Sequence, residues 1–160
     1  LGNDYKGDPS SALLEVLDPE HSGINLYDDG SKIYPRNSGM TGHKISAGAV
    51  VEDSMITDGC RVKGTVKHSI LFSGVRVEKG AVIEDAVVMG GTVVKAGAVV
   101  KHCIVAENVV VGENAVVGAM PSGEEKDVAT VGSGVVIGDN AKIGPKAMVR
   151  ENVKGGEEVW

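Results

Sequence analysis

One phrase occurs three times in succession, without a gap, in the middle of this 160-residue chain. The copies are residues 69–85 (SILFSGVRVEKGAVIED), residues 86–102 (AVVMGGTVVKAGAVVKH) and residues 103–119 (CIVAENVVVGENAVVGA). Residues 45–53 and 129–145 match parts of the same phrase, and residues 54–68 form a copy that is two residues shorter. A repeat of fixed period predicts a solenoid, because one unit cannot bury its apolar face and must stack on its neighbours.

The composition of the phrase predicts short β-strands rather than helix. Val and Ile dominate it, and Gly or Asn recurs in every copy, a pattern that favours strands and corners and disfavours helix. The aliphatic residues that we expect to point inward recur in steps of six, six and five: Leu71, Val77, Ile83, Val88, Val94, Val100, Val105, Val111 and Val117. Small residues lie two positions before several of them, and Cys103 at such a position is predicted to be a buried thiol. Three strands per copy give roughly six coils, stacked at about 4.8 Å.

The segments outside the repeat predict a simple domain plan. The plan has a linker with a short helix at residues 1–43, a β-helix at residues 44–153 with an inserted loop at residues 120–128, and a C-terminal tail at residues 154–160. Asp8 is the expected N-cap of the short helix, with Pro9 in its first turn. The loop at 120–128 is an insertion beyond what the period allows and is rich in turn-forming and charged residues. Because the chain begins at Leu1 without a methionine, we expect it to be part of a longer cytoplasmic protein.

Charge and cysteine content argue against several classes of function. The chain has 16 basic and 22 acidic residues, a net charge of -6, which argues against a nucleic-acid or membrane partner. Because it has no stretch of 18 apolar residues, we expect neither a transmembrane segment nor a signal peptide. The two cysteines, Cys60 and Cys103, are far apart in the sequence, with neither a CxxC pair nor a histidine at ligand spacing. We therefore predict no metal site and no disulfide.

Residues 51–89 (VEDSMITDGCRVKGTVKHSILFSGVRVEKGAVIEDAVVM) resemble the C-terminal β-helix of glucose-1-phosphate adenylyltransferases, also called ADP-glucose pyrophosphorylases. The most specific parts are Asp-Gly-Cys after Thr57, the run from His68 to Phe72, and the shortened copy before it. The preceding INLYDDGSKIYPRN is similar to the linker between the catalytic domain and the β-helix of that family. The resemblance implies an all-β, left-handed parallel β-helix, a handedness that the spacing alone does not fix.

The resemblance also implies a parent enzyme that makes ADP-glucose and pyrophosphate from ATP and α-D-glucose 1-phosphate, with Mg²⁺, in glycogen biosynthesis. The catalytic machinery of that family belongs to an N-terminal nucleotide-binding domain, and this chain has no glycine-rich phosphate loop. We therefore assign no catalytic residue, no cofactor-binding residue and no cofactor to this chain. Its expected partners are its own catalytic domain and further subunits of a homo- or hetero-oligomer, which is a tetramer in the family.

The resemblance further implies regulation by a phosphorylated metabolite or a nucleotide, which requires clustered cations. The candidate contacts are Lys67, His68, Lys101 and His102. The two histidines are separated by two full copies of the phrase, so we expect them two coils apart on one edge, with Asp85 between them. Arg76 and Lys95 are expected to add positive charge nearby, and carboxylates such as Glu84 to dilute it. The alternative interpretation of this cluster is a solvated corner.

Four other functions stay open at this stage. The chain is also compatible with the β-helix of another sugar-nucleotide pyrophosphorylase, such as a mannose-1-phosphate guanylyltransferase, or with a purely structural rod for oligomerisation. A hexapeptide-repeat acyltransferase would use the loop at 120–128, a nearby histidine and acetyl-CoA in a trimer, and the nearest histidine is His102. A metal-dependent trimer of the carbonic-anhydrase kind needs three convergent histidines, and His21 and His43 lie outside the repeat.

Overall fold

The structure is a computed structural model that describes residues 39–121 and 127–160. In these residues the regular elements are short β-strands, and the helix predicted near Asp8 lies outside them. The strands are β1 (Lys44–Ile45), β2 (Val50–Glu52), β3 (Met55–Ile56), β4 (Arg61–Val62), β5 (Thr65–Lys67), β6 (Ile70–Leu71), β7 (Arg76–Val77), β8 (Val82–Glu84), β9 (Val87–Val88), β10 (Val93–Val94), β11 (Val99–Lys101), β12 (Cys103–Val105), β13 (Val110–Val111), β14 (Val116–Val117), β15 (Ala129–Val131), β16 (Val136–Ile137), β17 (Lys142–Ile143), β18 (Met148–Val149) and β19 (Glu158–Val159).

These strands form three parallel sheets, because every third strand pairs with its equivalent one coil away. Sheet A has the order β1-β4-β7-β10-β13-β16, sheet B the order β2-β5-β8-β11-β14-β17-β19, and sheet C the order β3-β6-β9-β12-β15-β18. Six coils are complete, and a seventh begins with the bridge from Ile137 to Val153 and ends with β19. The chain is a left-handed parallel β-helix, as predicted, and is one partial coil longer than the six that were expected.

The interior of the solenoid is aliphatic. All nine residues predicted to point inward are no more than 1% exposed: Leu71, Val77, Ile83, Val88, Val94, Val100, Val105, Val111 and Val117. The small residues that precede them are buried as well, which allows the three walls to approach one another. Cys103 is a free buried thiol, as predicted, and burial raises its pKa to about 12. Cys60 is also free and buried, and burial raises its pKa.

The described residues contain two departures from the regular coil length. Only residues 63–64 separate β4 from β5, whereas residues 78–81 separate β7 from β8. This shortened corner requires glycine, because a Cβ on Gly64 would collide with the carbonyl oxygen of Ala81. The segment predicted as an inserted loop, residues 120–128, lies in the sequence between β14 of sheet B and β15 of sheet C.

The C-terminal residues continue the solenoid. The segment at 154–160, predicted as a tail, contains β19, which pairs in parallel with β17. Lys142 Nζ binds Glu158 Oε1 at 2.7 Å, and this contact lowers the pKa of the Glu158 carboxyl. The Trp160 indole lies against Gly144 but remains 78% exposed. In the described residues no helix is long and apolar enough to span a bilayer.

Candidate functional site

One edge of the solenoid carries a column of alternating aspartates and histidines. Asp53, His68, Asp85 and His102 occupy the corner between sheets B and C in four successive coils, and all have a positive φ of 40 to 50°. Asp and His tolerate this left-handed conformation better than most residues with a side chain. The Nδ1 atom of His68 is hydrogen-bonded to Asp85 Oδ1, and this bond, reinforced by the charges of Asp85 and Asp53, raises the pKa of His68.

The lysines at this edge also alternate with carboxylates. Glu52, Lys67, Glu84 and Lys101 are consecutive partners across sheet B. Lys67 Nζ lies 2.9 Å from Glu52 Oε2, and Lys101 Nζ lies 2.9 Å from Glu84 Oε2. The structure thus places the four candidate effector contacts along one edge in two pairs, separated by the coil of Glu84 and Asp85, and it places carboxylates beside Lys67, His68 and Lys101. An anion at this edge would have to displace them, and the role of the four residues in binding an effector stays a prediction.

His102 differs from His68 in its surroundings. Its Nε2 atom is inaccessible to solvent and has no hydrogen-bond partner among the residues that the structure describes. Its carbonyl oxygen accepts a hydrogen bond from the amide of Ala129 at 3.4 Å, at the point where the inserted loop rejoins sheet C. A ring nitrogen without access to solvent is poorly placed to exchange protons with a substrate.

A second cluster of cations lies on the outer face of sheet A and consists of Lys44, Arg61 and Arg76. We call it the basic column. Lys44 pairs in register with Arg61, and Arg61 with Arg76, so the three side chains project from successive coils. All three are exposed, and none makes an ion pair or a side-chain hydrogen bond with the residues that the structure describes. Arg76 therefore lies on a different face from Lys67, which belongs to sheet B.

A groove of about 480 Å³ runs beside the basic column. It is lined by Met40, Thr41, Gly59, Arg61, Gly74, Arg76, Gly91 and Val93. The side chain of Met40 lies against Gly59 and Gly74, where an added Cβ would contact its sulfur or terminal methyl group. The Met40 side chain therefore occupies space that Gly59 and Gly74 leave open, and Arg61 and Arg76 line the same groove. The sequence signal for this site is the recurrence of a cation at the same position in three successive coils.

The described residues contain no cluster of three or more His, Cys, Asp or Glu side chains that could hold a metal ion. The groove and the basic column offer cationic contacts to an anion.

Comparison with known proteins fits this description. The family model described as GlmU-like, C-terminal hexapeptide matches residues 39–138, which is more than half of the chain. The chain belongs to this family. The glucose-1-phosphate adenylyltransferase of Geobacillus stearothermophilus is 43% identical to this hexapeptide domain over 72 residues, which are 45% of this chain and 18% of the relative. The enzyme of the same name from Bacillus mycoides is 42% identical over 72 residues, covering 45% of this chain and 19% of the relative. The match thus spans less than a fifth of either relative.

Solved structures share the fold of this hexapeptide domain. The acetyltransferase domain of PglB from Neisseria gonorrhoeae, in complex with acetyl coenzyme A, superimposes with a TM-score of 0.52. The superposition covers 74% of this chain and 54% of that one, at 16% sequence identity. Identity this low supports the shared β-helix and carries no information about activity.

Proposed function

We propose that the chain is the C-terminal β-helix of a glucose-1-phosphate adenylyltransferase and that it serves assembly and regulation. The observation that carries the proposal is the 43% identity over 72 residues to an enzyme of that name. The interior supports a non-catalytic role. In the described residues its buried polar side chains are Ser69 and Thr92, and both donate hydrogen bonds to backbone carbonyl oxygens. Any reaction would have to occur on another domain.

The parent enzyme would join ATP and α-D-glucose 1-phosphate into ADP-glucose and pyrophosphate, with Mg²⁺, in the cytoplasm and for glycogen biosynthesis. Its catalytic residues would lie in the N-terminal domain, and the β-helix would hold that domain within a homo- or hetero-oligomer. A phosphorylated metabolite or a nucleotide would regulate it.

The outer face of sheet C supports a role in assembly. Met55, Ile70, Val87 and Ile104 are neighbours in register along this sheet, and Met55, Ile70 and Ile104 are 37 to 42% exposed. Phe72 extends the apolar surface and is 46% exposed. Contiguous apolar surface of this kind marks protein contacts. We call Met55, Ile70, Val87 and Ile104 the apolar row. We propose that it contacts the catalytic domain of the same protein, since the match to the relatives leaves more than four fifths of their length for other domains.

The acyltransferase alternative receives less support. The histidine nearest to the inserted loop is His102, and its Nε2 atom is shielded from solvent. A general base must reach the proton that it removes, directly or through a water molecule.

The proposal is tested by assaying the full-length gene product with glucose 1-phosphate and ATP, GTP or UTP, with the 160-residue chain as a control. We expect ADP-glucose synthesis by the full-length protein and none by the chain alone. Activity restricted to mannose 1-phosphate with GTP would replace the proposal with a guanylyltransferase, and acetyl transfer from acetyl-CoA would replace it with an acyltransferase.

A pair of variants in the same assay tests the assembly role. Ile104→Asp places a charge in the apolar row, whereas Val136→Asp places one at a similarly exposed position on sheet A. We expect Ile104→Asp to reduce both the oligomer size measured by sedimentation and the activity, with little effect of Val136→Asp. Equal behaviour of the two variants would argue against sheet C as the contact.

A further inference from the structure

We infer that the outer face of sheet A binds a small anion with two phosphoryl groups, held by Arg61 and Arg76 with Lys44 at one end. The inference starts from a difference between the charged columns of this solenoid. On sheet B, lysines alternate with glutamates along the strand register, and at the neighbouring corner histidines alternate with aspartates. In the basic column, three cations are adjacent and no carboxylate interrupts them.

Like charges directly opposite each other in a sheet oppose folding. Glu78, which follows β7, already binds Lys63 at 2.8 Å. Because the described residues supply no counter-charge to the basic column, an external anion is the simplest group that would relieve the repulsion. Such an anion would gain two charge-assisted contacts without displacing an internal ion pair.

The shape of the surface favours a small ligand. The groove of about 480 Å³ is lined by Arg61 and Arg76 together with Met40, Thr41, Val93 and three glycines. Beyond Arg76 the same column continues with Val93 and Val110. A long polyanion such as RNA would therefore lose its cationic contacts after three coils, whereas a small anion would not.

The spacing favours two phosphoryl groups over one. Adjacent coils are separated by about 4.8 Å, and each guanidinium can bind a phosphate through two parallel N–H bonds. A ligand with two linked phosphoryl groups can present one to Arg61 and the other to Arg76. A single phosphate has fewer oxygens and less negative charge to share between the two guanidinium groups.

The test is isothermal titration of the 160-residue chain with inorganic pyrophosphate and, separately, with inorganic phosphate at low ionic strength. We expect one saturable site for pyrophosphate and at least about tenfold weaker binding of phosphate. Arg61→Gln and Arg76→Gln should each weaken pyrophosphate binding by about tenfold or more, because each removes a charge-assisted contact. Circular dichroism melts of both variants establish that they are folded.

Arg150→Gln is the matched control, since Arg150 is also exposed but follows β18 of sheet C, away from the basic column. Equal loss of binding in this variant would mean general attraction to positive charge and would overturn the inference. The absence of saturable pyrophosphate binding would also overturn the inference. A loss of binding with Lys101→Gln and none with Arg61→Gln would overturn it too, because the site would then lie at the edge containing His68. None of these readouts uses enzyme activity, so the inference can fail while the proposed parent enzyme stands.

Discussion

At the scale of single residues, alternation between inward and outward side chains decides stability. Val94 on β10 is fully buried, and its neighbour Val93 is partly exposed on the outer face. We expect Val94→Asp to unfold the chain or to lower its free energy of unfolding by about 3 to 5 kcal/mol, because it leaves an unpaired charge in an aliphatic interior. Val111→Asp should behave in the same way, since Val111 pairs with Val94 one coil away. The measurement is a chemical denaturation curve.

Val93→Asp is the control for this prediction, because it places the same charge on the same strand but toward solvent. It should cost no more than about 1 kcal/mol, as most surface substitutions do. Equal destabilisation by Val93→Asp and Val94→Asp would mean that the assignment of inner and outer faces is wrong.

At the scale of elements, the corner between sheets B and C should respond to pH. The bond to Asp85 raises the pKa of His68 above its value in the unfolded chain, so His68 stabilises the fold fully below about pH 6.5. This contribution is lost as the pH rises through the raised pKa of the folded state. The charged groups around His68 are Asp53 and Asp85 at the same corner. Lys67 and Glu84 are paired on the adjacent strands of sheet B.

The measurement is an NMR titration of His68, combined with melting temperatures below and above neutral pH. We expect His68 to titrate above its ordinary pKa in the wild type and closer to it in Asp85→Asn. His68→Gln should remove the same part of the pH dependence, and subtraction of its curve isolates His68 from the other histidines. A His68 titration that is identical with and without Asp85 would contradict the prediction.

The sequence predicts most of the elements because the period fixes the register. Residues at equivalent positions in regular coils are separated by one full period, so the buried positions such as Val94 and Val111 follow directly from the repeat. The inserted loop follows for the same reason. The pairing of Lys101 with Glu84 also fits this spacing.

The basic column was harder to predict because it crosses the shortened coil. Arg61 follows Lys44 by one full period, but Arg76 follows Arg61 by two residues fewer, so a fixed period does not align all three. The register becomes clear only when the corner at Gly64 is known to lack two residues. Met40 lies before β1, and no feature of the repeat predicts that its side chain forms a wall of the groove.

At the scale of the whole molecule, the solenoid is a linear stack in which each coil contacts its neighbours. The first coil therefore has fewer stabilising contacts than a central one: in the described residues β1 pairs only with β4, and Ile45 is 47% exposed. In the third and fourth coils the equivalent inward residues, Val77 and Val94, are essentially inaccessible. In such a stack, stability is approximately a sum of contributions from the repeats and from the interfaces between them.

The smaller number of contacts between coils at the first coil predicts an order of amide hydrogen exchange along the chain. Amides of β1 to β3 should exchange fastest among the strands, and those of β8 to β14 slowest. The reason is that local opening of the first coil breaks one interface between coils, whereas opening of a central coil breaks two. We expect at least about a tenfold difference in protection, which corresponds to about 1.4 kcal/mol between the end and the centre. Exchange followed by mass spectrometry on peptides from each coil provides the measurement. Equal protection in every coil would contradict a stack of separable units and would mean that the solenoid opens as a single cooperative block.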